Sequence, residues 1–286
     1  MKEGEKAWTT STSTGEDTDI FSTLKSESPC PCMLMLISSI IKDAELWITQ
    51  FLNNITVTAL NNTDSLDVNY LLIEGNSNDE TYPILSRWAD NCKLNVMLVK
   101  HDLPEEMAAI DRVMDSIELI PEIIDFYSID ARYIMLIDSD IIKLPSNMLT
   151  NLIDDMKNSK ADIIAPYVLI SGTDKFYDTH VFRMNNEKFG HAPPYTPNNK
   201  AYNAPFEVDS AGTCLLFRSD VFMDVITENK KHREEYRNQK MDGYIGLCKT
   251  AKLLGYRILA DPTVKIYHAN LTTYGLRWHS VAYWQA

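Results

Sequence analysis

"RYIMLIDSDIIKLP", residues 132–145, closes an unbroken apolar run with two carboxylates one residue apart, Asp138 and Asp140. A run of this length, rich in Ile, Met and Leu and followed by Ser139 and Pro145, reads as a buried strand that ends in a turn. Like charges at the tip of such a strand raise each other's pKa. The pair is therefore either a solvated turn or a grip for a cation.

Outward from this strand the apolar period switches back and forth. "MLMLISSI" (33–40), "VNYLLIEG" (68–75), "LNVMLVKHD" (94–102) and "ADIIAPYVL" (161–169) have strand length. Between them lie residues at helical spacing. Leu46, Trp47, Phe51 and Leu52 follow an expected Asp43 cap, and a short helix passes through Leu85 and Trp88. Met107, Ile110, Val113, Met114 and Ile117 form a longer helix that starts near Glu105 and is kinked or divided at Pro121. Leu149, Leu152, Ile153 and Met156 follow an expected Ser146 cap. This alternation predicts an α/β fold with a mostly parallel central sheet and helices on both faces.

The second half is less regular. "HAPPYTPNNKAYNAPF" (191–206) is a loop by composition, "EVDSAGTCLLF" a strand reached through small residues, and "ENKKHREEYRNQK" a charged helix. A helix through Leu247, Ala251 and Leu254 stops at Gly255, a natural left-handed cap, and "RILADPTVKIYH" closes the core. Residues 1–28, rich in Ser, Thr, Glu and Asp, are expected to be a flexible leader, and 29–286 a single domain with an irregular C-terminal half.

The chain has 286 residues, 45% hydrophobic and 23% charged, enough for a large core. Its formal charge of −13 argues against non-specific binding to phosphate backbones or anionic lipid, though not against a local basic pocket. Five cysteines without zinc-type spacing read as free or buried thiols. The apolar stretch "CMLMLISSII" is too short to span a bilayer and has no basic segment before it. Sequons at Asn54, Asn61 and Asn270 carry little weight.

In a parallel α/β sheet, ligands sit beyond the carboxyl ends of the strands. Ser38 and Ser39, Glu74 to Asp79, and Asp138 with Asp140 are all expected there. A divalent cation relieves the repulsion between the aspartates. Hard oxygen ligands suit Mg²⁺ or Mn²⁺, ions that keep water and bridge to substrate phosphates, so a diphosphate is the natural substrate group. His268, at the close of the last core strand, is either a further ligand or a structural histidine. Asp242 precedes a helix and reads as an N-cap, as a general base toward an attacking hydroxyl, or as both.

The order of "ISSIIKDAELW", "LLIEGNS", "YIMLIDSDI", "ADIIAPYV", "DSAGTCLLF", "MDGYIGLCKTAKLLGYRI" and "KIYH" resembles the nucleotide-sugar glycosyltransferases of GT-A fold over residues 33–270. The nearest likeness is to the fungal mannan-polymerase type of mannosyltransferase, and more loosely to glycosyltransferase family 2. The resemblance implies a nucleotide-binding half over 29–145 and an acceptor-side half over 146–286. It implies that Asp140 holds the Mn²⁺ or Mg²⁺ through which the donor diphosphate is bound, and that Asp138 faces the ribose or the metal's water shell. Ser38 and Glu74 would contact base or ribose, His268 would complete the metal site, and Asp242 would stand near the acceptor hydroxyl. Asp209, Ala211, Gly212 and Thr213 would line the sugar and acceptor pocket. The donor would be a UDP- or GDP-sugar. The acceptor would be a glycan, with protein, lipid or a modified nucleobase as alternatives.

The chain departs from that family in the helix before the aspartates, where "AAIDRVMDSIELIPEII" offers only Arg112 for an Ala-Arg-Asn type sequence. A Golgi-type anchor is also missing, which implies a cytoplasmic setting, or a lumen if the chain is a piece of an anchored protein. Tyr195 and Tyr202 belong to a loop that could close over the donor and exclude water. Rival readings are a non-catalytic nucleotide- or carbohydrate-binding scaffold and a phosphatase of the haloacid-dehalogenase type. In that phosphatase the aspartates end the first core strand and a Gly-Asp motif follows. A sugar nucleotidyltransferase would need a glycine-rich first loop, which "ISSIIKD" lacks.

Overall fold

A computed structural model describes residues 33–62, 66–241 and 243–274. The expected leader over 1–28, Cys30, Cys32 and Asp242 lie outside the described residues. In chain order the elements are β1 (Met33–Ile41), α1 (Ile48–Leu60), β2 (Leu66–Glu74), α2 (Thr81–Asn91), β3 (Asn95–Lys100), α3 (Ala109–Phe126) and β4 (Tyr133–Ile137). There follow β5 (Ile141–Lys143), α4 (Met148–Ser159), β6 (Ile163–Ile170), β7 (Arg183–Met184), β8 (Glu187–Lys188) and β9 (Phe206–Glu207). The last are β10 (Cys214–Arg218), α5 (Ser219–Asn238), α6 (Tyr244–Leu253) and β11 (Ile258–His268).

One sheet runs in the order β3-β2-β1-β4-β10-β6-β11-β5, with β9 added against β11. Strands β1, β2, β3 and β4 are parallel, and β6 and β11 are parallel to each other. Strand β10 runs antiparallel between β4 and β6, so both parallel groups point the same way. The chain winds from β1 outward to β3, then crosses back to place β4 on the other side of β1. Right-handed crossovers put α1 and α2 on one face and α3 on the other, and they make the gap between β1 and β4 the switch point.

Burial explains the sequence pattern. All five residues of β4 and all eight of β6 are buried, as expected for strands covered on both faces. Helix α1 turns Ile48, Phe51, Leu52 and Ile55 inward, and α3 turns Met114, Ile117, Ile120 and Ile124 inward. Pro121 lies within α3, which continues through it as one element to Phe126. Cys214 and Cys248 are buried free thiols, and Cys92 is a partly exposed one. No helix among the described residues is long and apolar enough to cross a membrane.

Three local expectations are corrected. Asp43 does not cap α1: it takes φ 47°, and its carboxylate accepts the Asn78 N–H at 2.8 Å, so the helix starts at Ile48 without a side-chain cap. Ser146 does not cap α4, whose N-cap is Asn147, again without a side-chain bond. Ser38 is not at a strand end, because the ladder with β2 continues to Ile41 opposite Glu74. For Asp43 and Ser38 a tertiary partner outweighs the local signal.

Two glycines set the position of α6. Gly243, before its first residue, has φ 72° and ψ −142°, and a Cβ there would come within 2.6 Å of Ile110 Cδ1 on α3. Gly255, just past its end, has φ +86° with nothing within 4 Å of a would-be Cβ. Gly243→Ala is expected to lower unfolding free energy by about 3 kcal/mol through backbone strain and the clash. Gly255→Ala should cost only about 1 kcal/mol. Urea unfolding of the two variants measures the difference.

Candidate functional site

The site forms where β4 and β11 end and β10 begins. Strand β4 delivers Asp138, whose N–H donates to the Thr213 carbonyl at 2.8 Å, extending the β4–β10 pairing by one bond. The turn closes when the Ile141 N–H donates to the Asp138 carbonyl at 3.2 Å, and the chain leaves as β5. That short strand pairs antiparallel with the end of β11, setting His268 opposite Ile141, and the Ala269 N–H donates to the Asp140 carbonyl at 2.8 Å. Backbone pairing therefore brings His268 to Asp140 from 128 residues away.

The imidazole is nearly fully buried and fixed on three sides. Nδ1 faces the Ala269 carbonyl oxygen at 2.8 Å, which places a proton on Nδ1, and Nε2 lies 2.6 Å from Asp140 Oδ2. Tyr177 stacks on the ring at 3.5 Å between centroids and 15° between planes. Asp138 is oriented from the other side, its Oδ1 accepting the Tyr244 O–H at 2.6 Å. Burial and the neighbouring Asp140 charge push the Asp138 carboxyl well above the usual carboxylate range, partly offset by the Tyr244 bond.

A third carboxyl, Asp178, joins the cluster. It accepts the Thr213 O–H at 2.8 Å and the Val181 N–H at 3.2 Å, and burial raises it to about 6. Gly212 permits this approach, since a Cβ there would meet Asp178 Oδ2 and Val181 Cγ1, each at 2.8 Å. Sequence reasoning missed Asp178, Tyr177 and Tyr244. The first two lie in "KFYDTH", an irregular stretch without period, and Tyr244 follows Gly243 in what reads as a helix start.

Among the expected pocket residues, Ala211, Gly212 and Thr213 are buried behind Asp138 and Asp178. The Asp209 carboxylate is committed to Lys252 at 2.6 Å and to the Asn186 N–H at 2.7 Å, and these partners hold it below the usual range. Ser38 is buried in mid-strand between Leu71 and Leu136, its Oγ without a hydrogen-bond partner among the described residues. Glu74 ends β2, buried, and its Oε1 accepts the Ser77 N–H at 2.6 Å.

The loops after β1 and β2 are tied to each other. Beyond the Asp43–Asn78 bond, the Asp43 N–H donates to Ser77 Oγ, the Ala44 N–H to Thr81 Oγ1, the Glu45 N–H to Asp79 and the Glu80 N–H to Glu45.

Among the described residues no three His, Cys, Asp or Glu side chains are placed to hold a metal ion. The donor set still suits a hard divalent ion that takes one or two protein carboxylates and completes its shell with phosphate and water. Asp140 Oδ1 is buried and has no hydrogen-bond partner among the described residues, an arrangement that a cation would satisfy.

No family model matches the sequence, and no curated protein matches it. Solved structures do match by shape. S. aureus TarS 1–349 in complex with UDP-GlcNAc has a TM-score of 0.50 at 11% identity, over 83% of this chain and 59% of that one. A longer S. aureus TarS structure has a TM-score of 0.50 at 13% identity, over 83% of this chain and 36% of that one. The mannosyltransferase PcManGT from Pyrobaculum calidifontis, in complex with GDP-Man and Mn²⁺, has a TM-score of 0.46 at 11% identity, over 82% and 56%. The chain thus spans about a third to three fifths of the length of these proteins. The chain has the GT-A glycosyltransferase fold, a mixed α/β architecture around a mostly parallel sheet.

Asp178 binds its proton more tightly in the folded chain than in the unfolded one. Its contribution to stability is therefore full below about pH 4 and is lost as pH rises through about 6. The displacement from 3.8 to about 6 corresponds to about 3 kcal/mol. The stability advantage of the wild type over Asp178→Asn should shrink by about that amount between pH 4 and pH 7, read from urea unfolding at each pH. A constant difference would remove the buried acid.

Proposed function

We propose that the chain is a nucleotide-sugar-dependent glycosyltransferase that uses a divalent ion, Mn²⁺ or Mg²⁺, held at Asp138 and Asp140. The observation that carries this reading is the pair of carboxylates at the switch point of the sheet, one bearing a buried, unpartnered oxygen and flanked by a fixed imidazole. UDP-GlcNAc bound to TarS, a protein of the same fold, supports a nucleoside-diphosphate sugar as donor. The motif order adds the resemblance to mannan-polymerase type mannosyltransferases, so a UDP- or GDP-sugar is the donor class.

In this reading Asp140 and Asp138 hold the ion, and His268 sits beside it as a ligand or as the group that orients Asp140. Tyr244 fixes the rotamer of Asp138, and Tyr177 fixes the plane of His268. When bound, the ion would neutralise charge on the leaving diphosphate. Glu74 shapes the base and ribose side through the Ser77 N–H that its carboxylate holds, while Ser38, buried in mid-strand, takes no part, and the segment Asp209 to Thr213 backs the sugar and acceptor pocket. Asp242, just before α6, accepts the proton of the attacking acceptor hydroxyl. The acceptor is a glycan or another hydroxyl-bearing molecule. Tyr195 and Tyr202 stand in the 191–206 loop, where closure over the donor would exclude water.

One contact favours a second reading. The 2.6 Å approach of His268 Nε2 to Asp140 Oδ2 already gives that oxygen a partner, as in a scaffold that binds nucleotide without metal.

Calorimetry with UDP and GDP, with and without Mn²⁺, separates the two. The transferase reading expects Mn²⁺-dependent nucleotide binding that Asp140→Ala abolishes while the fold persists, and hydrolysis of a UDP- or GDP-sugar by the wild type. Asp242→Asn should leave donor binding intact and depress turnover about 100-fold or more. Metal-independent binding with no turnover supports the scaffold instead.

A further inference from the structure

The stretch just after Asp178 folds into a small hairpin that the proposed donor site does not use. Strands β7 and β8 pair Arg183 with Lys188 and Met184 with Glu187 around a two-residue turn, Asn185–Asn186, both with positive φ. Directly opposed residues of an antiparallel pair share a face. Arg183 and Lys188 therefore stand side by side, and Glu187 lies on the other face with Met184.

A third basic group joins them. Lys188 Nζ lies 3.3 Å from His180 Nδ1, and Arg183 Nε donates to the His180 carbonyl. Like charges directly across a hairpin destabilise it. Among the described residues neither Arg183 nor Lys188 forms an ion pair with a carboxylate. Asp209, which accepts the turn's Asn186 N–H, is spent on Lys252. Burial, Lys188 and Arg183 together hold the His180 imidazole below its usual range. In a chain of net charge −13, Arg183 and Lys188 are two positive charges side by side that no described carboxylate pairs.

Hydrogen bonds tie the hairpin to the segment before β10. Arg183 bridges to Ser210, its N–H donating to the Ser210 carbonyl at 3.1 Å. The Ser210 O–H donates to the Val181 carbonyl, and the Val181 N–H reaches Asp178. This ties the stretch that bears the three bases to the segment that leads to Thr213, which the proposed function gives to the acceptor pocket.

We propose that His180, Arg183 and Lys188 form a binding site for an oxyanion of the phosphate or sulfate type, carried by the acceptor. The inference rests on the glycosyltransferase reading for the word acceptor, and on the hairpin alone for the anion. Arg183 supplies a planar donor fork, Lys188 a mobile ammonium, and His180 a ring N–H at Nε2 once Nδ1 takes the Lys188 hydrogen. A site of this kind selects phosphorylated or sulfated acceptors over neutral ones, and it offsets locally the repulsion that the overall charge imposes on an anionic substrate.

The test titrates inorganic phosphate into the full chain by calorimetry, at constant ionic strength maintained with chloride, and UDP separately with Mn²⁺. Saturable phosphate binding is expected, weakened about tenfold in Lys188→Gln and in Arg183→Gln, with UDP affinity unchanged in both and Lys93→Gln, exposed ahead of β3, as a neutral control. Lys188 is exposed, so that variant answers even if Arg183→Gln fails to fold. Phosphate binding that never saturates, or that both variants leave intact, overturns the site. UDP affinity that falls with phosphate affinity overturns the acceptor assignment and gives the bases to the donor diphosphate. Wild type that binds phosphate through these residues but never UDP keeps the anion site and defeats the transferase reading.

Discussion

Three carboxyl groups, Asp138, Asp140 and Asp178, share one partly dehydrated crevice, and their mutual repulsion is the constraint around which the surrounding structure is arranged. In a medium of low effective permittivity such a cluster cannot be fully ionised without counter-groups. The fold meets this with neutral hydrogen-bond donors at Asp138 and Asp178, namely the hydroxyls of Tyr244 and Thr213, and with an imidazole at Asp140. None of these is a permanent positive charge. The cluster is left short of positive charge, and the upward shifts of Asp138 and Asp178 are the result.

Every one of those partners is delivered by a piece of backbone that could not be placed elsewhere. Thr213 comes from the start of β10, the antiparallel strand wedged between β4 and β6. Tyr244 depends on the unusual Gly243 conformation, and His268 on the pairing of β11 with β5. The site is thus a product of strand order more than of any one motif.

That origin explains what could be read from the sequence. The buried run before Asp138 announces itself through its composition, and a parallel sheet puts its end at a crevice, so Asp138 and Asp140 were legible. His268 was visible for a similar reason, as the close of the last core strand. Strand direction is a different matter: "CLLFR" has no local feature that says it runs against its neighbours, and the three residues of β5 are too few to show a period. Asp178 was hidden because its segment is held by long-range bonds to Gly190–Tyr195 and Ser210–Thr213, not by a repeat. The Asp43 and Ser146 caps misled because side-chain oxygens near a helix start were read locally; Asp43 has a partner 35 residues away.

The mutual lacing of the loops after β1 and β2 has a bearing on how such a protein can diverge. Asp43, Ala44 and Glu45 on one side and Ser77 to Thr81 on the other exchange main-chain and side-chain bonds in both directions. An inserted or deleted residue in either loop would shift several of these bonds out of register at once and would need a matching change in its counterpart. Changes of length would therefore be accommodated more readily along the 171–213 excursion, leaving the two laced loops after β1 and β2 as the slow-changing pair.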